Sequence, residues 1–254
     1  MNKNTRIMVS SVAAIFVLAC ACPATSLPTI NTQPTTPPFV VPPTQAIPPT
    51  QDGFEVPTLP PLEDTNILMS DDFNEFSSRI ETTSDETGSS EIKDGVYILR
   101  ATGDVWNWGK SNSEFSDTII EVDASMTVGP ANNNAGIGII CRMQTREDTS
   151  IDGYLLAISA DGYYSIRSIL AGSMEPLVDW TYSDTIVQGS GHNIIRATCD
   201  GNSLILEVNG EQVATAATIS GGPESGPMAF SVVSFESAEP TVEVHFDNLV
   251  VTAP

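Results

Sequence analysis

Two aromatic pairs carry the first chemical signal. Trp106 and Trp108 stand two residues apart, and Trp180 and Tyr182 repeat that spacing. On a strand, this spacing puts both rings of a pair on one face. Planar rings stack on the apolar faces of sugar rings, and a polar neighbour such as Arg142 supplies donors for hydroxyls. The candidate ligand-binding set is therefore Trp106, Trp108, Arg142 and Trp180; the competing expectation is that the rings pack the core or cover its rim. Carboxylates are the second kind of chemical material, because glycoside hydrolysis needs two acids about 5 to 10 Å apart. Glu121-Val122-Asp123 places two acids on one strand face, where they read as the polar side of an alternating strand. Histidine is limited to His192 and His245, and neither sits in a motif for a zinc site or a Ser-His-Asp triad. Asp72 and Asp247 are candidates for a structural Ca²⁺, or for hydrogen bonds that lock the terminal strands. Two side chains alone fall short of the six to eight oxygens that Ca²⁺ takes. No set of residues specifies a reaction, so binding is expected ahead of catalysis.

The elements that must position these residues read as β-strands. Turn signals recur at Asp94-Gly95, Asp152-Gly153, Asp161-Gly162, Asp200-Gly201 and Asn209-Gly210, each beside β-branched or aromatic runs. Asn-Gly or Asp-Gly between such runs is the strongest short hairpin signal. Residues 204–208 and 211–213 therefore form a hairpin around Asn209-Gly210, and runs at 154–159 and 163–168 flank Asp161-Gly162. A further strand over 193–199 continues through Asp200-Gly201 into the next. The last strand, over 242–252, is interrupted by Asp247-Asn248 and is expected to pair with a strand near 68–73, bringing the ends of the domain together. Many short antiparallel strands and no long helical periodicity predict an all-β fold, an antiparallel sandwich or a closed barrel.

Net charge is −22, and no Asp or Glu precedes Asp52, so the acidity belongs to the linker end and the folded domain. A nucleic-acid partner is excluded on that ground, since phosphate binding needs a basic surface. Cys141 and Cys199 both end strand-like apolar runs, and an exported protein keeps its disulfides. A bond between them is expected; two free buried thiols are the alternative.

The export expectation comes from the N-terminus. Lys3 and Arg6 precede an apolar run over residues 7–19, which is the pattern of a secretory signal. The run is short for a membrane span, which takes roughly 20 apolar residues. Val17-Leu18-Ala19-Cys20 resembles the lipobox of bacterial lipoproteins, in which the cysteine is diacylated and becomes the new N-terminus. That resemblance implies lipidation at Cys20 and attachment to the bacterial cell membrane through lipid alone; Cys22 and a freely secreted chain are the alternatives. The expected organisation is a signal peptide over 1–20, a Pro/Thr-rich disordered linker over 21–65 and a β-sandwich over 66–254. Proline fixes φ and removes backbone donors, so the linker is extended and solvated. At ~3.1 Å per residue its roughly forty residues reach at most about 120 Å, enough to hold a domain off a membrane. The PxxP-like spacing could instead serve as a ligand for an aromatic groove.

The order of motifs resembles the concanavalin A-like lectin/glucanase superfamily, in particular laminin-G-like or DUF1080-like domains of exported bacterial lipoproteins. The residues that carry the likeness are Asp71-Asp72-Phe73, the run from Asp117 to Asp123, Gly136-Ile137-Gly138-Ile139-Ile140-Cys141-Arg142, Tyr154, Asp161-Gly162-Tyr163, Asn193, Val208-Asn209-Gly210 and Phe246-Asp247-Asn248-Leu249. The resemblance implies a jelly roll of two antiparallel sheets whose concave face, in relatives, often binds glycans. It does not imply catalysis. Glu121-Val122-Asp123 is similar to part of the laminarinase-type glucanase motif, but Ser125 and Met126 stand where those enzymes carry a further glutamate. DUF1080-like relatives include enzymes acting on 3-keto-glycosides, and related sandwiches often hold a cation near the terminal strands. The function expected is a surface-tethered, non-catalytic module for carbohydrate or another cell-envelope ligand. The alternatives are a structural or protein-interaction module of the envelope and a glycoside-active enzyme.

Overall fold

A computed structural model describes residues 66–74 and 79–254, so the expectations for Cys20 and for the linker lie outside the described residues. In chain order the strands are β1 (Ile67–Asp71), β2 (Gly88–Lys93), β3 (Val96–Thr102), β4 (Asn107–Phe115), β5 (Thr118–Val128), β6 (Ala135–Thr145) and β7 (Ile151–Ser159). They continue with β8 (Tyr163–Leu170), β9 (Ser173–Tyr182), β10 (His192–Asp200), β11 (Ser203–Val208), β12 (Glu211–Ala217), β13 (Gly226–Ser234) and β14 (Thr241–Thr252). One sheet has the order β12-β11-β10-β5-β14-β3-β2, with β1 also paired to β14; the other has the order β4-β13-β6-β7-β8-β9. Every pairing is antiparallel.

The turn chemistry explains the hairpins. Asn209 and Gly210 both have positive φ, 51° and 84°, as a two-residue type I′ turn between β11 and β12 requires. The terminal strands meet as the pattern predicts. The first half of β14 pairs with β3, a register shift between Asp247 and Val250 follows, and the second half pairs with β1. Asn248, at φ 53°, is the residue that absorbs this irregularity.

Alternation places the core. Ile120, Val122 and Ala124 of β5 and Val242, Val244 and Phe246 of β14 face Ile137 and Ile139 of β6, Leu156 and Ile158 of β7 and Phe230 and Val232 of β13. Phe230 stacks on Phe246 across the layers, with centroids 4.4 Å apart and planes at 9°. The disulfide between Cys141 on β6 and Cys199 on β10 joins the two sheets, with Cα atoms 6.7 Å apart.

The outward face of the eight-stranded sheet carries charge. Arg100 binds Glu91 at 2.7 Å and Glu243 at 2.6 Å. Thr127 Oγ1 and His245 Nε2 also reach Glu243 Oε1, at 2.7 and 2.8 Å. Burial opposes ionisation of Glu243, but the hydrogen bonds from Thr127, Arg100 and His245 outweigh it and hold the carboxyl at about 2 against an ordinary 4.5. A carboxyl lowered on folding contributes stability that is complete above its unfolded value and lost as pH falls toward its folded one. Stability is therefore expected to fall between pH 4.5 and about 2, by on the order of 1–2 kcal/mol from this group after solvent screening. Thermal melts of the parent and of Glu243→Gln check this: the variant should melt lower at pH 7 and the gap should close toward pH 2. A gap of equal size at both pH values would contradict it.

Candidate functional site

The outward face of the six-stranded sheet is unusual in being apolar at its centre. Ile140, Leu155, Ala157, Ile169 and Ala229 form a second buried cluster there, and Trp106, Trp108, Met174 and Trp180 pack against it. Trp106, Trp108 and Trp180 thus lie on this face with their rings against the buried cluster, and Trp106 sits one residue ahead of β4.

At one end of this sheet the rings form a row. Phe235, just past the end of β13, stands between Trp106 and Trp180, with centroid distances of 5.8 and 5.7 Å and interplanar angles of 76° on both sides. Edge-to-face geometry of this kind suits the quadrupoles of aromatic rings. Gly136 on β6 makes room for the row: a Cβ there would lie 2.7 Å from Trp106 Cη2, 2.9 Å from Val233 Cγ1 and 3.2 Å from Phe235 Cζ. Tyr163 and Tyr182, opposite each other on β8 and β9, make another edge-to-face pair at 5.6 Å.

Beside the row lies a cavity of about 370 Å³ lined by Asn134, Ser159, Asp161, Tyr163, Trp180 and Phe235. Its polar groups come from strand ends and one turn. Ser159 closes β7 on the outward side, since Tyr154, Leu156 and Ile158 point into the core. Asp161 belongs to the Asp161-Gly162 turn that leads into β8. Ser159 Oγ and Asp161 Oδ1 are buried and have no hydrogen-bond partner among the described residues. Ser231 Oγ, on β13 between Trp108 and Gly138, shares that condition. Asn134 Nδ2 is committed to Glu236 Oε1 at 2.9 Å, and donors from Asn134 and Asn132 hold the Glu236 carboxyl below its ordinary range.

Arg142 is not part of this group. A register shift in β6 between Cys141 and Gln144, with Arg142 at φ 53°, turns its side chain toward the other end of the sandwich. Its guanidinium is spent on the Ser116 and Gly201 carbonyls, on Asp117 at 2.8 Å and on the Cys199 carbonyl. Six residues separate it from Gly136, about 20 Å along a strand. A larger cavity, about 650 Å³, lies beside it along the loop 218–225 and contains no tryptophan.

The paired acids lie on the opposite sheet. Glu121 bonds Arg196 at 2.6 Å, and Asp123 accepts from Asn248 at 2.7 Å with His192 at 3.6 Å, all on the outward side of β5 and its neighbours. His245 serves the Glu243 network. Asp72 and Asp247 cap local turns, accepting from the backbone of Asn74 and Asn248. Among the described residues no three His, Cys, Asp or Glu side chains group as metal ligands.

Phe235, Ser159, Asp161, Tyr163 and Asn134 were not apparent as site residues from sequence. The usable signal was serine at the outward parity of otherwise apolar strands, at positions 159 and 231.

No protein-family model matches the sequence, and no curated protein matches it. Solved structures do resemble the fold. A carbohydrate binding module, CBM66, from Bacillus subtilis superposes with a TM-score of 0.54 at 15% identity, over 69% of this chain and 96% of that one. A beta-1,3-1,4-glucanase (lichenase) from a mouse hindgut metagenome gives 0.51 at 12% identity, over 73% and 98%. The Bacillus licheniformis beta-glucanase gives 0.52 at 11% identity, over 73% and 97%. At these identities the likeness establishes the fold alone, an antiparallel β-sandwich of the jelly-roll kind.

Proposed function

We propose that this jelly roll is the binding domain of an exported, lipid-anchored protein, and that it holds carbohydrate without chemistry at the aromatic end of its six-stranded sheet. The observation that carries the reading is the Trp106–Phe235–Trp180 row beside a cavity lined by Trp180, Phe235, Tyr163, Asn134, Ser159 and Asp161. Ring faces supply stacking area, and the few polar groups at the wall fix orientation, which is the composition of small-molecule sites generally. The kinship of fold with a carbohydrate binding module agrees with this reading.

Binding is favoured over hydrolysis by the placement of the acids. Hydrolysis takes two carboxyl groups on either side of the scissile bond. The cavity lining includes one, Asp161, while Glu121 and Asp123 lie on the other sheet and are engaged with Arg196 and Asn248. A glycan array probed with the exported protein tests the reading. Retention on at least one glycan without its turnover is expected, and absence of binding to all members, or cleavage of the bound one, would overturn it.

Anchoring rests on the sequence at Ala19-Cys20. Labelled palmitate fed to the expressing bacterium should enter the protein and be lost in Cys20→Ala, with the variant released from the membrane fraction. Label that persists in that variant would move the anchor to another residue.

A further inference from the structure

Two tyrosines carry the aromatic surface beyond the cavity and into solvent. Tyr163 is 39% exposed and Tyr182 52%, and among the described residues no other aromatic side chain is as open. Tyr163 lines the cavity together with Trp180 and Phe235, and it also packs edge to face on Tyr182, with centroids 5.6 Å apart. The two stand opposite each other on β8 and β9, so their rings lie on the same side of the sheet. Tyr182 follows Trp180 by two residues, about 7 Å along β9, a step comparable with the length of one sugar unit. We infer that this pair is a second seat of the site, so that the ligand is a chain of linked sugar units rather than a single one; the inference rests on the carbohydrate reading above.

The pair is held in position without a ligand. Gly162, at φ 99°, lets the turn between β7 and β8 pass close by: a Cβ there would lie 2.9 Å from Tyr182 Cε2 and 2.9 Å from Gln188 Nε2. Ser183 N donates to the Gly162 carbonyl at 2.9 Å and Gly189 N to the Ala160 carbonyl at 2.8 Å, which ties the segment after β9 to that turn. Gln188 Nε2 donates to Tyr182 Oη at 3.4 Å, and this exposed amide adds polar groups of both kinds for ligand hydroxyls. Exposed aromatic area that is already ordered gains contact with little further loss of freedom. A single sugar in the cavity would leave the tyrosine rings in water. A unit linked to it reaches them at high effective concentration, because the first contact has already met the cost of association.

Calorimetry on the intact protein tests the inference. The probes are neutral gluco-, manno-, galacto- and xylo-oligosaccharides, each series running from the monosaccharide to the hexasaccharide. In a series that binds, affinity should rise at least about tenfold from the shortest member to the longest, the gain expected of one further aromatic contact. Tyr182→Ala should abolish that rise and leave the affinity of the shortest binding member unchanged, whereas Tyr182→Phe, which keeps the ring, should keep the rise. Trp180→Ala should instead weaken every member. Equal affinity along the series, or a rise that survives in Tyr182→Ala, would overturn the inference while leaving the carbohydrate reading intact. Failure of every member of every series would overturn the carbohydrate reading itself.

Discussion

Replacing Cys141 and Cys199 together by alanine is expected to lower the stability of the folded domain by about 4 kcal/mol. The bond closes a loop with a sequence separation of 58, and in the chain-entropy model its removal returns that loop's freedom to the unfolded chain. Both residues are buried, and the bond joins β6 of one sheet to β10 of the other, so the loss falls where the two layers meet. Truncation also leaves a small void between the sheets, which adds to the cost. For a domain of this size each kcal/mol moves the melting temperature by roughly 2–4 °C, so the midpoint should drop by about 10 °C. Calorimetric melting of the parent with and without reductant, beside the double variant, measures it. Equal midpoints in all three would refute a stabilising bond.

Trp180→Ala and Phe235→Ala are each expected to cost a bound neutral oligosaccharide at least about 30-fold in affinity, the effect of a central aromatic anchor. Trp180 lines the cavity directly, and Phe235 both lines it and stands between the two indoles. Trp108 lies deeper along β4, opposite Ser231 and outside the cavity lining, so Trp108→Ala should cost less. Calorimetric titration of the three variants, with melting curves to verify folding, distinguishes the cases. Affinity retained in both Trp180→Ala and Phe235→Ala would place the ligand elsewhere.

What the sequence made legible was local. Asn209-Gly210 and Asp161-Gly162 mark hairpins because few residues tolerate the φ values those turns need, and both turns lie where the pattern placed them. The interruption at Asp247-Asn248 marked the place where β14 changes neighbour. Cysteines that follow two strand-like apolar runs pointed to the bond between them. The spacing of Trp106 and Trp108 implied a shared face, and both pack against the same cluster.

What escaped was set by pairing over long distances. Phe235 reaches Trp106 and Trp180 because β13 inserts between β4 and β6, an order that no local pattern encodes. Asp161 read as turn punctuation, and its second role depends on the walls that β8 and β9 bring beside it. Arg142 misled for a different reason. Nothing in Cys141-Arg142-Met143 announces a left-handed residue, yet the irregularity there swings the guanidinium away from the aromatic face and into a web of carbonyls near the disulfide.

The protein's three tryptophans all belong to the outward face of the six-stranded sheet, so intrinsic fluorescence reports on that face alone. The decisive measurement is acrylamide quenching of this emission, with and without saturating neutral oligosaccharide. Protection from the quencher with a shift of emission to shorter wavelength, absent in Trp180→Ala, is the predicted result. Quenching and emission unchanged by every neutral oligosaccharide that the protein is shown to bind would contradict a ligand seated on this aromatic row.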